Sequence, residues 1–184
     1  MQAVGYDLYC KMLEEAVREE KGLKKQESFE TAIDLEVNAY IPPSYIPNEY
    51  QKLDIYKRIA GIESQEEYED MLEELLDRFG EPPKTVQNLL TIANLKALAH
   101  KAYIQEIKQN GKEVKISMFE RAKVNPAGFP AILDKYKNNL KMKLEETPYF
   151  LVSLKGRRPK EILDVLELLG KILQDFQTVI EEAK

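Results

Sequence analysis

The sequence predicts an α+β fold: an antiparallel sheet built from hairpins, packed with several amphipathic helices including a long C-terminal helix. Three observations predict it. Apolar residues recur at helical spacing in several separate stretches, as they do on amphipathic helices. Asn110-Gly111, the strongest short hairpin signal, stands between YIQEIKQ and KEVKISMF. KMKLEE and PYFLVSLK read as a further strand pair, and strands joined by short turns run antiparallel.

Taken in order, residues 3–21 place Val4, Leu8, Met12, Leu13, Ala16 and Val17 on one face of a first helix that ends near Gly22. Residues 31–38 alternate, with Ile33, Leu35 and Val37 against Asp34, Glu36 and Asn38, the pattern of a half-buried strand. AYIPPSYIPNEY is stiffened by its prolines and reads as an ordered loop packed by Tyr40, Tyr45 and Ile46. Asn48 caps a helix carrying Leu53, Tyr56, Ile59 and Ala60, which stops at Gly61. Ser64 and Glu67 form a capping box before the stripe Tyr68, Met71, Leu72, Leu75, Leu76, Phe79, and Gly80 ends that helix. A further helix covers residues 83–101. After the hairpin come a short helix over 131–137, the second strand pair, and a helix over 159–182 with Pro159 in its first turn.

The chain has 184 residues, 43% of them apolar, enough for one sizeable core or two small ones. No run approaches the ~20 apolar residues of a membrane helix, and MQAVGYDLYC lacks a secretory layout, so the cytoplasm is the expected compartment. One cysteine, Cys10, and one histidine, His100, exclude a disulfide scaffold and a zinc module. No glycine pattern forms a phosphate-binding loop. His100 reads as a packing or surface histidine and Cys10 as incidental, so no nucleophile–base pair is in view.

Charge is unevenly placed. Net charge is −5, yet residues 63–81 hold nine acids and one base, a local −8, against +3 for the rest. These acids lie opposite the apolar stripe and face water, whereas glycosidase-type chemistry needs carboxylates opposed across a cleft. The face reads first as a solvated helix surface, next as a docking surface for a basic partner, and last as a metal or catalytic site. Like charges at i, i+4 destabilise a helix by a few tenths of a kcal/mol, so a cluster without interleaved lysines needs an explanation. LKGRRPK places Lys155, Arg157, Arg158 and Lys160 in a loop, which supplies an alternative reading as a nucleic-acid-binding accessory domain.

VGYDLYCKMLEEAV, DLEVNAYIPPSYIPNEYQKLDIYKRIAGI and LLDRFGEPPKTVQNLLTIANLKALA follow one another through most of residues 4–101. Together they resemble the C-terminal domain of the bacterial transcription-repair coupling factors, the Mfd family. The combination of AYIPPSYIP with LLDRFGEPP is specific, and beyond Tyr103 the likeness rests on pattern and on VNPAGF. The resemblance implies a parent that is an ATP-dependent superfamily 2 DNA translocase engaging RNA polymerase, DNA and UvrA. It implies that this chain is a non-catalytic piece without cofactor. Residues 1–25 would connect it to the preceding motor region, and residues 26–184 would form the C-terminal regulatory domain. That domain would dock on the N-terminal UvrA-binding module within the same molecule, mask it and restrain the motor until stalled polymerase is engaged. On the same resemblance, Glu74 and Asp77 face arginines of that module, with Asp70 and Glu73 as rim charges.

Overall fold

A computed structural model describes residues 29–137, 139–155 and 162–180. The expected first helix, Cys10, and Arg157, Arg158 and Lys160 lie outside the described residues. The chain divides into two compact units, residues 37–94 and residues 29–36 with 95–180, and the boundary falls between Asn94 and Leu95.

The first unit holds α1 (Glu49–Ala60), α2 (Gln65–Phe79) and the beginning of α3 (Lys84–Lys101). Its helix starts are those the sequence predicts. Asn48 Oδ1 accepts from the backbone N–H groups of Tyr50 and Gln51 at 3.0 and 3.1 Å. Ser64 Oγ accepts from the Glu67 N–H at 3.2 Å, while the Glu67 carboxylate accepts from the Glu63 N–H at 2.7 Å. Donors that a helix start leaves open are thereby satisfied. Gly80 ends α2 at φ +84°, ψ −168°, a conformation open essentially to glycine alone.

Ile46, Ile55, Ile59, Leu75, Leu89 and Leu90 are fully buried in this unit. The proline-rich segment is tied down as expected, with one difference. Ile46 is buried and the Tyr45 hydroxyl donates to the Gly80 carbonyl at 2.8 Å, but Tyr40 is 47% exposed. Backbone bonds do the anchoring there: the Tyr40 N–H reaches the Thr85 carbonyl at 3.3 Å, and the Ile41 N–H reaches the Tyr56 hydroxyl at 2.8 Å. On α1 the buried positions are Ile55 and Ile59, and Leu53 is 47% exposed. Four-residue spacing from Ile55 to Ile59 keeps that pair on one face, and Leu53 falls on another.

The second unit is a five-stranded sheet in the order β1-β2-β3-β5-β4. The strands are β1 (Ala32–Asp34), β2 (Ile104–Asn110), β3 (Glu113–Met118), β4 (Leu140–Lys143) and β5 (Tyr149–Ser153). All pairings are antiparallel except β1 with β2, which is parallel, so the sheet is mostly the one expected. Burial alternates through residues 31–38 as the sequence predicts, yet the ladder covers only three of them. Asp34 pairs with Lys108, two positions before β2 ends, and the next contacts come from Glu36, whose N–H reaches the Gln109 side chain. Asn110 and Glu113 pair across the turn, where Gly111 takes φ +60°.

One face of the sheet is apolar, with Ile107, Ile116, Phe150 and Val152 fully buried. Phe150 meets Phe129 at 5.3 Å and Phe176 at 4.7 Å between ring centroids, joining α4 (Phe129–Lys135) and α5 (Ile162–Gln177) to the core. Helix α4 starts two residues earlier than predicted. The cause is Asn125, whose side chain accepts from the Ala127 N–H and opens a 3₁₀ turn over Pro126–Gly128 that runs straight into it. Gly128 is required there, because a β-carbon would stand 2.2 Å from Val179 Cγ1. The Tyr136 hydroxyl and Lys135 ammonium, at 2.5 and 2.9 Å, both donate to Asp175 on α5.

Candidate docking face

Helix α2 buries Met71 and Leu75 and half-buries Tyr68, Leu72 and Phe79, which turns its acidic side outward. Asp70, Glu73 and Asp77 are exposed and make no ion pair among the described residues. They follow one another at spacings of three and four, so they form one ridge along the helix.

Glu74 behaves differently. Its carboxylate is half-buried and receives both arms of the Arg58 guanidinium from α1, Nη1 at 2.8 Å on Oε1 and Nη2 on Oε2. Arg78 Nη1 donates to Oε1 at 3.1 Å. The Arg58 hydrogen bonds hold the Glu74 carboxyl below its ordinary range, with Arg78 adding to the effect against a smaller opposing cost of burial. Arg78 also stands 4.9 Å from the Phe79 ring centroid. Of the four acids expected to dock, three therefore present open charge, and the fourth is already paired.

The apolar stripe holds apart from Leu76, which is 53% exposed. Leu76 lies three residues from Glu73, on the edge of the acidic ridge. Sequence reading assigned it to the core because it fits the 3.6 period, and only tertiary packing leaves it out. Two partners of Glu74 also escaped that reading. Arg78 was legible, being four residues on along the same helix, whereas Arg58 lies sixteen residues back on another helix.

Elsewhere, His100 is exposed, with its ring stacked on Phe29 at 4.6 Å and Nδ1 3.5 Å from Thr31 Oγ1. Among the described residues no group of three or more His, Cys, Asp or Glu side chains is placed to hold a metal ion. No described helix is long and apolar enough to cross a membrane. Lys155, the described basic residue of the segment LKGRRPK, is exposed.

The TRCF domain family model matches residues 35–129, just over half of the chain. The chain belongs to the TRCF domain family. That match contains AYIPPSYIP, LLDRFGEPP, VNPAGF and the whole acidic ridge. The transcription-repair-coupling factor of Bacillus subtilis (strain 168) is 36% identical over 181 residues, covering 96% of this chain and 15% of that protein. The factor of Staphylococcus haemolyticus (strain JCSC1435) is 40% identical over 124 residues, covering 66% of this chain and 11% of that protein. This TRCF domain thus spans a small part of the curated relatives it matches. A crystal structure of the C-terminal domain of transcription-repair coupling factor aligns at a TM-score of 0.69 and 26% identity, over 84% of this chain and 98% of that one. The α+β class and the resemblance read from the motifs both hold.

Proposed function

We propose that this TRCF domain is a non-catalytic regulatory clamp of a transcription-repair coupling factor. It docks through α2 on the N-terminal UvrA-binding module of its own parent, masks that module, and restrains the ATP-dependent DNA translocase until stalled RNA polymerase is engaged. The observation that carries this reading is the exposed ridge Asp70–Glu73–Asp77 on a helix whose other side is anchored in a core. A ridge of like charges costs helix stability, and a basic partner surface offsets that cost.

The four acids divide the work. Asp70, Glu73 and Asp77 meet the partner's bases directly. Glu74 keeps Arg58 and Arg78 neutralised and so preserves the negative sign of the face, and it engages a partner arginine only by exchanging one of its own. Leu76 supplies apolar contact beside the charges, the arrangement in which binding energy concentrates. Exposed ion pairs contribute only ~0–1 kcal/mol each, so the clamp is releasable and salt-sensitive, as a switch requires.

Capture of UvrA by the full-length parent tests the masking. Asp77→Lys with Glu73→Lys is expected to give UvrA capture without polymerase, whereas the unaltered parent captures it only after engaging polymerase. Equal capture by both proteins would remove α2 from the clamp.

A further inference from the structure

At one edge of the sheet, β4 and α4 border an open groove of about 550 Å³. One side carries Pro130 and Leu133 with Asp134 and Lys137, which pair with each other at 3.4 Å, and the other is β4 itself, with Met142 and the two lysines Lys141 and Lys143. Strand β4 ends the sheet order, so no described strand pairs with its outer side.

The register shows which backbone groups that side offers. The Ser153 N–H donates to the Asn139 carbonyl at 2.7 Å, which makes Asn139 and Ser153 a hydrogen-bonded pair. Bonded and non-bonded pairs alternate along an antiparallel ladder. Lys141 and Leu151 are therefore bonded, whereas Leu140 with Val152 and Met142 with Phe150 are not. Backbone groups of the non-bonded pairs point away from β5. Leu140 obeys this, its N–H going to the Tyr136 carbonyl at 3.1 Å. The Leu140 carbonyl and the Met142 N–H and carbonyl thus face the groove as a short, ready ladder.

Side chains select what can use it. Met142 and Leu133 are half-buried and apolar, while Lys141 and Lys143 are exposed on the opposite face of the sheet. A strand added at this edge places alternate side chains against Leu133 and Met142, and the intervening ones beside the two lysines. Lysines on an edge also repel a second edge of like charge, which disfavours pairing of β4 with another β4.

We infer that the β4–α4 edge binds an extended peptide segment of alternating apolar and acidic residues by strand addition. This is independent of the acidic face on α2.

The test uses the 184-residue chain and a synthetic peptide alternating valine and aspartate. Bound peptide is expected to slow hydrogen exchange at the Met142 amide, the outward donor. Met142→Pro removes that donor and no β4–β5 bond, and is expected to weaken binding about tenfold while β5 amide protection persists. A peptide alternating valine and lysine is expected to bind at least about tenfold more weakly, given two facing ammonium groups. The proposal is overturned if the Met142 amide exchanges at its free rate with peptide present, or if Met142→Pro binds equally well. It is also overturned if that amide becomes protected on concentrating the protein alone, because a second copy of the chain would then be the occupant.

Discussion

Glu74 and Asp77 lie three residues apart on α2 yet meet different surroundings, one clasped by two arginines and the other open to water. A double-mutant cycle on Arg58→Ala and Glu74→Ala should therefore give a coupling of about 0.5–1 kcal/mol that shrinks in 1 M salt. Asp77→Ala should leave stability unchanged within about 0.5 kcal/mol in the same denaturant titrations. Gly80→Ala should cost about 1–3 kcal/mol, since its φ of +84° with extended ψ is strained for any side chain. At this scale the sequence was readable where chemistry is local: Asn48 and Ser64 as caps and Gly80 as a stop. Exposure of Leu76 and Leu53 was not readable, because period places a residue on a face while burial depends on what packs over it.

Helices with both a cap and a stripe, α1 and α2, have the bounds the sequence predicts. Ser64→Ala should cost about 1 kcal/mol in thermal or denaturant unfolding, since it leaves the Glu67 N–H without its acceptor. The hairpin of β2 and β3 followed from Asn110-Gly111, whose φ of +60° at Gly111 suits the two-residue turn. Harder to foresee was β1, because alternation reports a half-buried segment and not how many of its residues find a partner. Its parallel partner is a distant segment, Glu106–Lys108, and a local pattern carries no sign of that pairing. The early start of α4 was likewise hidden in Asn125, a capping residue followed by proline, alanine and glycine that carry no apolar period.

At the scale of the whole molecule, one carboxylate in each compact unit stands out among the described residues as held in its charged form by its partners. Glu74 is held below its ordinary value by Arg58. Burial opposes ionisation of Asp175, and the Tyr136 hydroxyl and Lys135 outweigh it, so Asp175 is also lowered. A lowered folded-state pKa contributes stability that is complete above the ordinary carboxylate values and is lost as pH falls through the folded value. Stability measured by denaturant titration should accordingly be flat near neutrality and decline below about pH 4, where carboxylates begin to protonate in the unfolded chain. The open charge of the docking face comes instead from Asp70, Glu73 and Asp77 on α2, and the proposed function requires this face to grip a basic module of the parent factor. Affinity of this domain for the separately purified N-terminal module tests it most directly, measured at low and high salt for the unaltered chain and for Glu73→Lys with Asp77→Lys. Binding is expected to weaken with salt and to fall at least about tenfold in the charge-reversed chain; equal affinity of the two chains at low salt would contradict docking through α2.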